Sequence, residues 1–136
     1  MSASQAPGCS CTIVHATATF VAAFLAQDAP GIAHHYTSRG KLLLSHAELI
    51  AGRPAIQAFW QGVLDMGIYC AERTTVDWQS AATLGNEIGT YSLRRRDGHL
   101  VDQGTYIALW QWRAGRWQIG YEVWRSSWLV TRNGML

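Results

Sequence analysis

Two turn signals in the second half of the chain constrain its fold more than any other feature, because each decides which side chains of the flanking strands share a face. Asp97-Gly98 separates the alternating runs EIGTYSLRRR and HLVDQGTYIALWQW. Asp and Gly best tolerate the positive φ that a two-residue hairpin loop demands, so the dipeptide predicts a hairpin pairing Arg96 with His99. Counting back, Tyr91 faces Gly104, Gly89 faces Tyr106 and Glu87 faces Ala108. The second signal, WRAGRW, predicts a three-residue loop with Gly115 in the left-handed position and Trp112 opposite Arg116. Gly120 then faces Ala108, and Glu122 faces Tyr106.

Side chains alternate strictly along a strand, so one face of this patch collects Glu87, Gly89, Tyr91, Gly104, Tyr106, Ala108, Trp110, Gly120, Glu122 and Trp124. Its centre is small, and its surround is aromatic and acidic. The opposite face carries Ile107, Leu109, Trp117, Ile119, Tyr121 and Val123, and is apolar too. A sheet with two apolar faces needs cover on both, which predicts a homodimer through the second, outer face. The hollow face has two readings. It is either a core whose glycines mark bends, or a pocket for an apolar small molecule with Glu87, Tyr91, Tyr106 and Glu122 as its few polar groups. Register decides between faces, since a one-residue slip moves a carboxylate to the other side.

Upstream, the period changes. Over residues 12–27, Val14, Phe20, Val21, Phe24 and Leu25 recur at helical spacing and predict an amphipathic helix. Asp28 is a candidate cap and Pro30 a first-turn residue for a short second helix. GKLLLS has strand length, and HAELIAG reads as a connection. In GRPAIQAFWQGVLDMG, Pro54 can open a third helix, Ile56, Phe59, Trp60, Val63 and Leu64 line one side, and Gly67 can close it. Three helices followed by an antiparallel sheet make an α+β domain. The expected division is a flexible segment over 1–11, one domain over 12–130, and a tail over 131–136.

Composition limits the function classes. A net charge of +2 with one dense basic run, Arg94, Arg95 and Arg96, gives no nucleic-acid surface. No stretch has the apolar length of a membrane span, and the amino terminus has no leader pattern, so a cytoplasmic location is expected. Three cysteines and five histidines lack metal spacing, so neither metal nor cofactor is expected. Seven tryptophans in 136 residues exceed the ordinary need of a core this small and suggest that something apolar is held.

The stretches FVAAFLAQDAPGIAHHY, GRPAIQAFW and DQGTYIALWQWRAGRWQIGYEVW, spread over residues 20–124, resemble the nuclear transport factor 2-like superfamily. The likeness is to its SnoaL-like and ketosteroid-isomerase-like branches. The resemblance implies a cone-shaped half-barrel, three N-terminal helices packed on a strongly bent, mostly antiparallel sheet, with an apolar pocket and frequent dimerisation. Aligned with the steroid isomerases, Phe20, Leu44 and Ala108 stand where that chemistry needs a tyrosine, an aspartate base and a protonated aspartic acid. Steroid isomerisation by that route is therefore not expected. The Asp, Arg, Asp arrangement of limonene-epoxide-hydrolase-like members has no evident counterpart.

The candidate catalytic groups are then Glu122 and Glu87, with Tyr106 to orient them. Two carboxylates near each other in an apolar cavity cannot both ionise cheaply, which would set an acid beside a base. Tyr91, Trp60, Trp110, Trp124, Ala108, Gly120, Leu44, His46 and Phe20 are the candidate ligand contacts, whereas Asp102 is expected at the rim. The implied function is an isomerase, cyclase or dehydratase acting on an apolar ligand. The alternatives are a non-catalytic binder of such a ligand and a homodimeric association module.

Overall fold

A computed structural model of the chain describes residues 10–45 and 48–127. The expectations for the first nine residues, for His46 and for the 131–136 tail lie outside the described residues. Helix α1 (Ser10–Leu25) buries Ile13, Phe20 and Phe24. At roughly 100° per residue, Ile13 lies within about 20° of Phe20 around the helix and Val14 about 120° away. Val14 and Leu25 are accordingly 63% and 45% exposed, outside the stripe that spacing alone suggested. Helix α2 (Ala29–Ala33) starts where the Asp28 carboxylate accepts the Gly31 amide at 3.0 Å, with Pro30 in its first turn. Helix α3 (Arg53–Asp65) opens on Pro54 and buries Ile56, Trp60 and Leu64, and the chain turns out of it at Gly67, at φ 87°.

Among the described residues, six strands form one sheet: β1 (Tyr36–Leu44), β2 (Ile50–Ala51), β3 (Ile68–Ala81), β4 (Leu84–Arg95), β5 (Leu100–Arg113) and β6 (Arg116–Ser126). Their order is β2-β1-β6-β5-β4-β3, antiparallel throughout except for the parallel pair β1 and β6. The sheet curls around the helices without closing. Strand β2 lies in the stretch expected to be a plain connection, and its pairing of Ala51 with Lys41 extends the sheet edge. Among the described residues no helix is long and apolar enough to cross a membrane.

Both hairpins reach their pairings by routes other than the predicted ones. At the first, the Arg95 amide donates to the His99 carbonyl, so the loop is Arg96-Asp97-Gly98, with Gly98 at φ 90°. The Asp97 carboxylate accepts the His99 amide and fixes this longer loop. A bulge then offsets the extra residue, and Tyr91 faces Gly104, Gly89 faces Tyr106 and Glu87 faces Ala108, as the turn signal predicts.

At the second, the loop is the two-residue Ala114-Gly115, both at positive φ, pairing Trp112 with Trp117. A bulge at Gly120 shifts the register once more. Two one-residue shifts preserve the face of Glu122 but move it opposite Ala108, and Trp124 takes the place beside Tyr106. Between turn and bulge the parity is inverted. Trp117 and Ile119, expected on the outer face, are buried, whereas Tyr121 and Val123 do face outward. The outer face keeps a cross-strand row of Leu43, Val123, Ile107 and Ile88, each between 39% and 51% exposed.

Candidate functional site

Glu87 and Glu122 flank Ala108 on the inner face, one strand to either side. Both are fully buried, and a third charged group stands between them. The Arg73 guanidinium, on β3, lies 2.7 Å from Glu122 Oε2 and 3.7 Å from Glu87 Oε1. The shorter contact is an ion pair off the direct hydrogen-bond line, and among the described residues the Arg73 nitrogens have no conventional hydrogen-bond acceptor. Aromatic faces surround the cation instead, with ring centroids of Tyr106 at 4.2 Å and Phe20 at 4.6 Å from its central carbon. Burial alone would lower the Arg73 pKa, but the Glu122 carboxylate, Tyr106 and Glu87 outweigh it and raise it above the ordinary arginine range.

The remaining carboxylate valences are filled by aromatic donors. Glu122 Oε1 accepts the Tyr36 hydroxyl at 2.6 Å and the Trp124 indole N–H at 2.7 Å. Glu87 accepts the Trp110 N–H at 2.9 Å, the Tyr106 hydroxyl at 2.6 Å and the Thr75 hydroxyl at 2.7 Å. Burial, then the adjacent carboxylate, pushes the Tyr36 phenol well above its usual range. Burial likewise raises Tyr106, with Glu87 adding and Arg73 opposing. Both stay hydroxyl donors at neutral pH. Two tryptophans of the β5–β6 hairpin, Trp110 and Trp124, thus supply indole N–H donors to the two buried acids.

This layer is packed. A Cβ on Gly89 would collide with the Tyr106 ring, and one on Gly85 with the Trp78 ring, so the room these glycines leave is occupied by aromatics. Gly120 sits in the bulge, where a Cβ would meet the Gln111 side chain at 2.7 Å. The cavity lies elsewhere, at the open end of the sheet. Its volume is about 260 Å³. Phe59, Trp60, Tyr91 and Trp124 give it an aromatic wall, apolar side chains from Leu44 to Val101 and the serines Ser45 and Ser126 complete it, and Asp102 is the carboxylate among the described lining residues. Asp102 Oδ2 accepts the Tyr91 hydroxyl at 3.0 Å and Oδ1 the Ser126 hydroxyl at 2.5 Å. Burial and the Asp102 charge push the Tyr91 phenol above its usual range. Trp124 belongs to both layers, lining the cavity and lying 5.5 Å from the Arg73 carbon.

Of the candidate residues, Leu44, Trp60, Tyr91 and Trp124 line this cavity. Glu87, Glu122, Tyr106, Trp110, Ala108 and Phe20 stand in the packed layer and do not. Asp102, expected at the rim, is part of the cavity wall, and Arg73 was not a candidate at all. Counting from the Ala82-Thr83 loop would put Arg73 opposite Ser92, on the outer face. The bulge between Thr75 and Asp77 turns it inward, opposite Tyr91. The available signal was electrostatic, since two acids on one apolar face require a cation. A carboxylate, guanidinium, carboxylate arrangement exists, but it is built on glutamates instead of the Asp, Arg, Asp set and is sealed from the cavity.

No family model matches the chain, and no curated protein matches it. Solved structures do. A protein of unknown function from Mycobacterium tuberculosis is 19% identical, with a TM-score of 0.76 over 93% of this chain and 76% of that one. A ketosteroid isomerase-like protein from Erwinia carotovora atroseptica is 16% identical, with a TM-score of 0.70 over 86% and 95%. An NTF-2 like protein of unknown function from Shewanella oneidensis is 15% identical, with a TM-score of 0.73 over 85% and 98%. The chain has the fold of the nuclear transport factor 2-like superfamily, as the sequence resemblance implies.

Proposed function

We propose that this protein binds a small apolar molecule in the cavity beside Tyr91 and Trp124, with Asp102 as the polar group that orients it. The observation that carries this reading is the wall itself, about 260 Å³ bounded by aromatic and aliphatic side chains around one carboxylate. Such a site draws affinity from apolar burial and orientation from its few polar atoms. Leu44, Trp60, Tyr91 and Trp124 act as ligand contacts, and the Glu87, Arg73 and Glu122 group holds the floor beneath them.

A catalytic use of the same cavity is favoured by one feature, the exposure of the Asp102 carboxylate to whatever the cavity holds. In an isomerisation, cyclisation or dehydration, Asp102 takes the role first given to Glu122 and removes a proton from the ligand. A second copy of the chain covers the row of Leu43, Val123, Ile107 and Ile88. A row of large apolar side chains across four strands is the kind of patch that a stable interface of about 800 Å² per partner is built on.

The test is a native mass spectrum of protein purified from its host, alongside the Val63→Trp variant, whose indole fills the cavity. A copurified apolar adduct that is absent from the folded variant supports the reading. An adduct retained in that variant moves the ligand to another site. Turnover of the identified ligand that is lost in Asp102→Asn while binding persists separates catalyst from carrier.

A further inference from the structure

We infer that the ligand of the Asp102 cavity is an apolar amine, held as its ammonium cation between the carboxylate and the aromatic wall. This rests on the reading of that cavity as the ligand site. The first observation is a charge left over. Asp102 is met by two neutral hydroxyls, from Tyr91 and Ser126, and among the described residues no cationic side chain stands within ion-pair distance of it. Among the described residues, no lysine, arginine or histidine is part of the cavity wall. In this it differs from the layer below, where Arg73 compensates Glu122.

A neutral ligand seated here would strip water from the carboxylate and return nothing to it, at a cost of the kind that buried uncompensated charges carry. An ammonium group offsets that cost with an ion pair. Each Asp102 oxygen accepts one hydroxyl, which leaves lone pairs to receive an N–H or a polarised N–CH₃.

The second observation is the wall. Phe59 and Trp60 are tilted by 72°, Trp60 and Trp124 by 66°, and Tyr91 and Trp124 by 59°, with ring centroids between 4.3 and 5.6 Å apart. These four rings, tilted against one another, all line the cavity. Aromatic π-faces attract a cation electrostatically, whereas they hold its neutral isostere by dispersion and burial alone. Carboxylate and rings therefore select the same ligand property by two independent effects.

The experiment compares benzyltrimethylammonium with neopentylbenzene, its neutral carbon isostere, by tryptophan fluorescence on the full chain and on Asp102→Asn. The expected result is saturable binding of both, with the cation at least ~10-fold tighter in the wild type. In Asp102→Asn that ratio should fall toward unity while the isostere still binds. An isostere bound as tightly as the cation overturns the amine inference and leaves the apolar cavity standing. A cation preference that survives unchanged in folded Asp102→Asn also overturns it. Saturable binding of neither probe overturns both the inference and the cavity reading. The wild-type comparison decides the matter even if the variant fails to fold.

Discussion

The Arg73 guanidinium and the Glu122 carboxylate meet at 2.7 Å with both side chains wholly inaccessible to solvent. Breaking such a pair from one side strands a charge in the core, whereas removing both charges together leaves only Glu87, which keeps its three neutral donors. Arg73→Met should therefore destabilise the chain by about 3–5 kcal/mol, a large share of the stability of a domain this size. The Arg73→Met, Glu122→Gln double variant should lose less than the sum of the two single changes. Urea denaturation of the four proteins checks this. Additive losses would mean that the two groups do not depend on each other.

The loop between β5 and β6 offers a gain of stability. Ala114 sits at φ 53°, a conformation that an L residue with a Cβ adopts at a cost of about 1 kcal/mol. Asn-Gly is the preferred pair for a two-residue loop with both positions at positive φ. Ala114→Asn should raise stability by about 0.5–1 kcal/mol, read as a higher thermal midpoint with no change in the tryptophan emission. A neutral or lower midpoint would indicate a different loop.

These turns also explain what was legible in the sequence. The α+β architecture, the Asp28 cap, the Pro54 start and the inner face of β4 and β5 follow from local chemistry that acts over a few residues. The Glu122 pairing does not, because its loop and the bulge at Gly120 each shift the register by one and together restore the parity while changing the neighbour. Arg73 was hidden by a similar bulge, and Ile119 by the inverted stretch between loop and bulge. Glycines on the inner face looked like empty space, yet the space over Gly89 belongs to the Tyr106 ring. Alternation predicts which way a side chain points, but not whether a neighbour already fills the room beside it.

The inverted stretch separates two isoleucines that alternation puts on the same outer face. Ile107 is 51% exposed on the outer row, and Ile119 is fully buried against the inner layer. Ile107→Lys should leave the fold intact and dissociate the proposed dimer, as a halved mass in sedimentation equilibrium. Ile119→Lys should unfold the protein, because an unpaired ammonium in the core has no partner to offset its desolvation. A folded dimer in the Ile107 variant would move the interface off this row.

His35 gives the fold a dependence on mild acid. Its Nδ1 lies 2.9 Å from the Gly31 carbonyl and its Nε2 2.9 Å from the Thr19 hydroxyl, and its ring packs edge-on to Phe20. Burial holds its pKa below the ordinary histidine value near 6.5, with the backbone contacts to Gly31 and Ile32 opposing and Arg116 and Arg73 adding to the depression. The folded chain then binds this proton less readily than the unfolded chain. The stability linked to His35 is fully present above the unfolded value and is lost as the pH falls through the lower, folded one. The urea midpoint of the wild type should drop as the pH falls below the ordinary histidine value of 6.5, and in His35→Gln the drop should be shallower. His34, on the surface and also depressed, first by burial and then by Arg116 and Arg53, contributes equally to both proteins and cancels in the comparison. An unchanged slope in His35→Gln would place the acid sensitivity elsewhere in the chain.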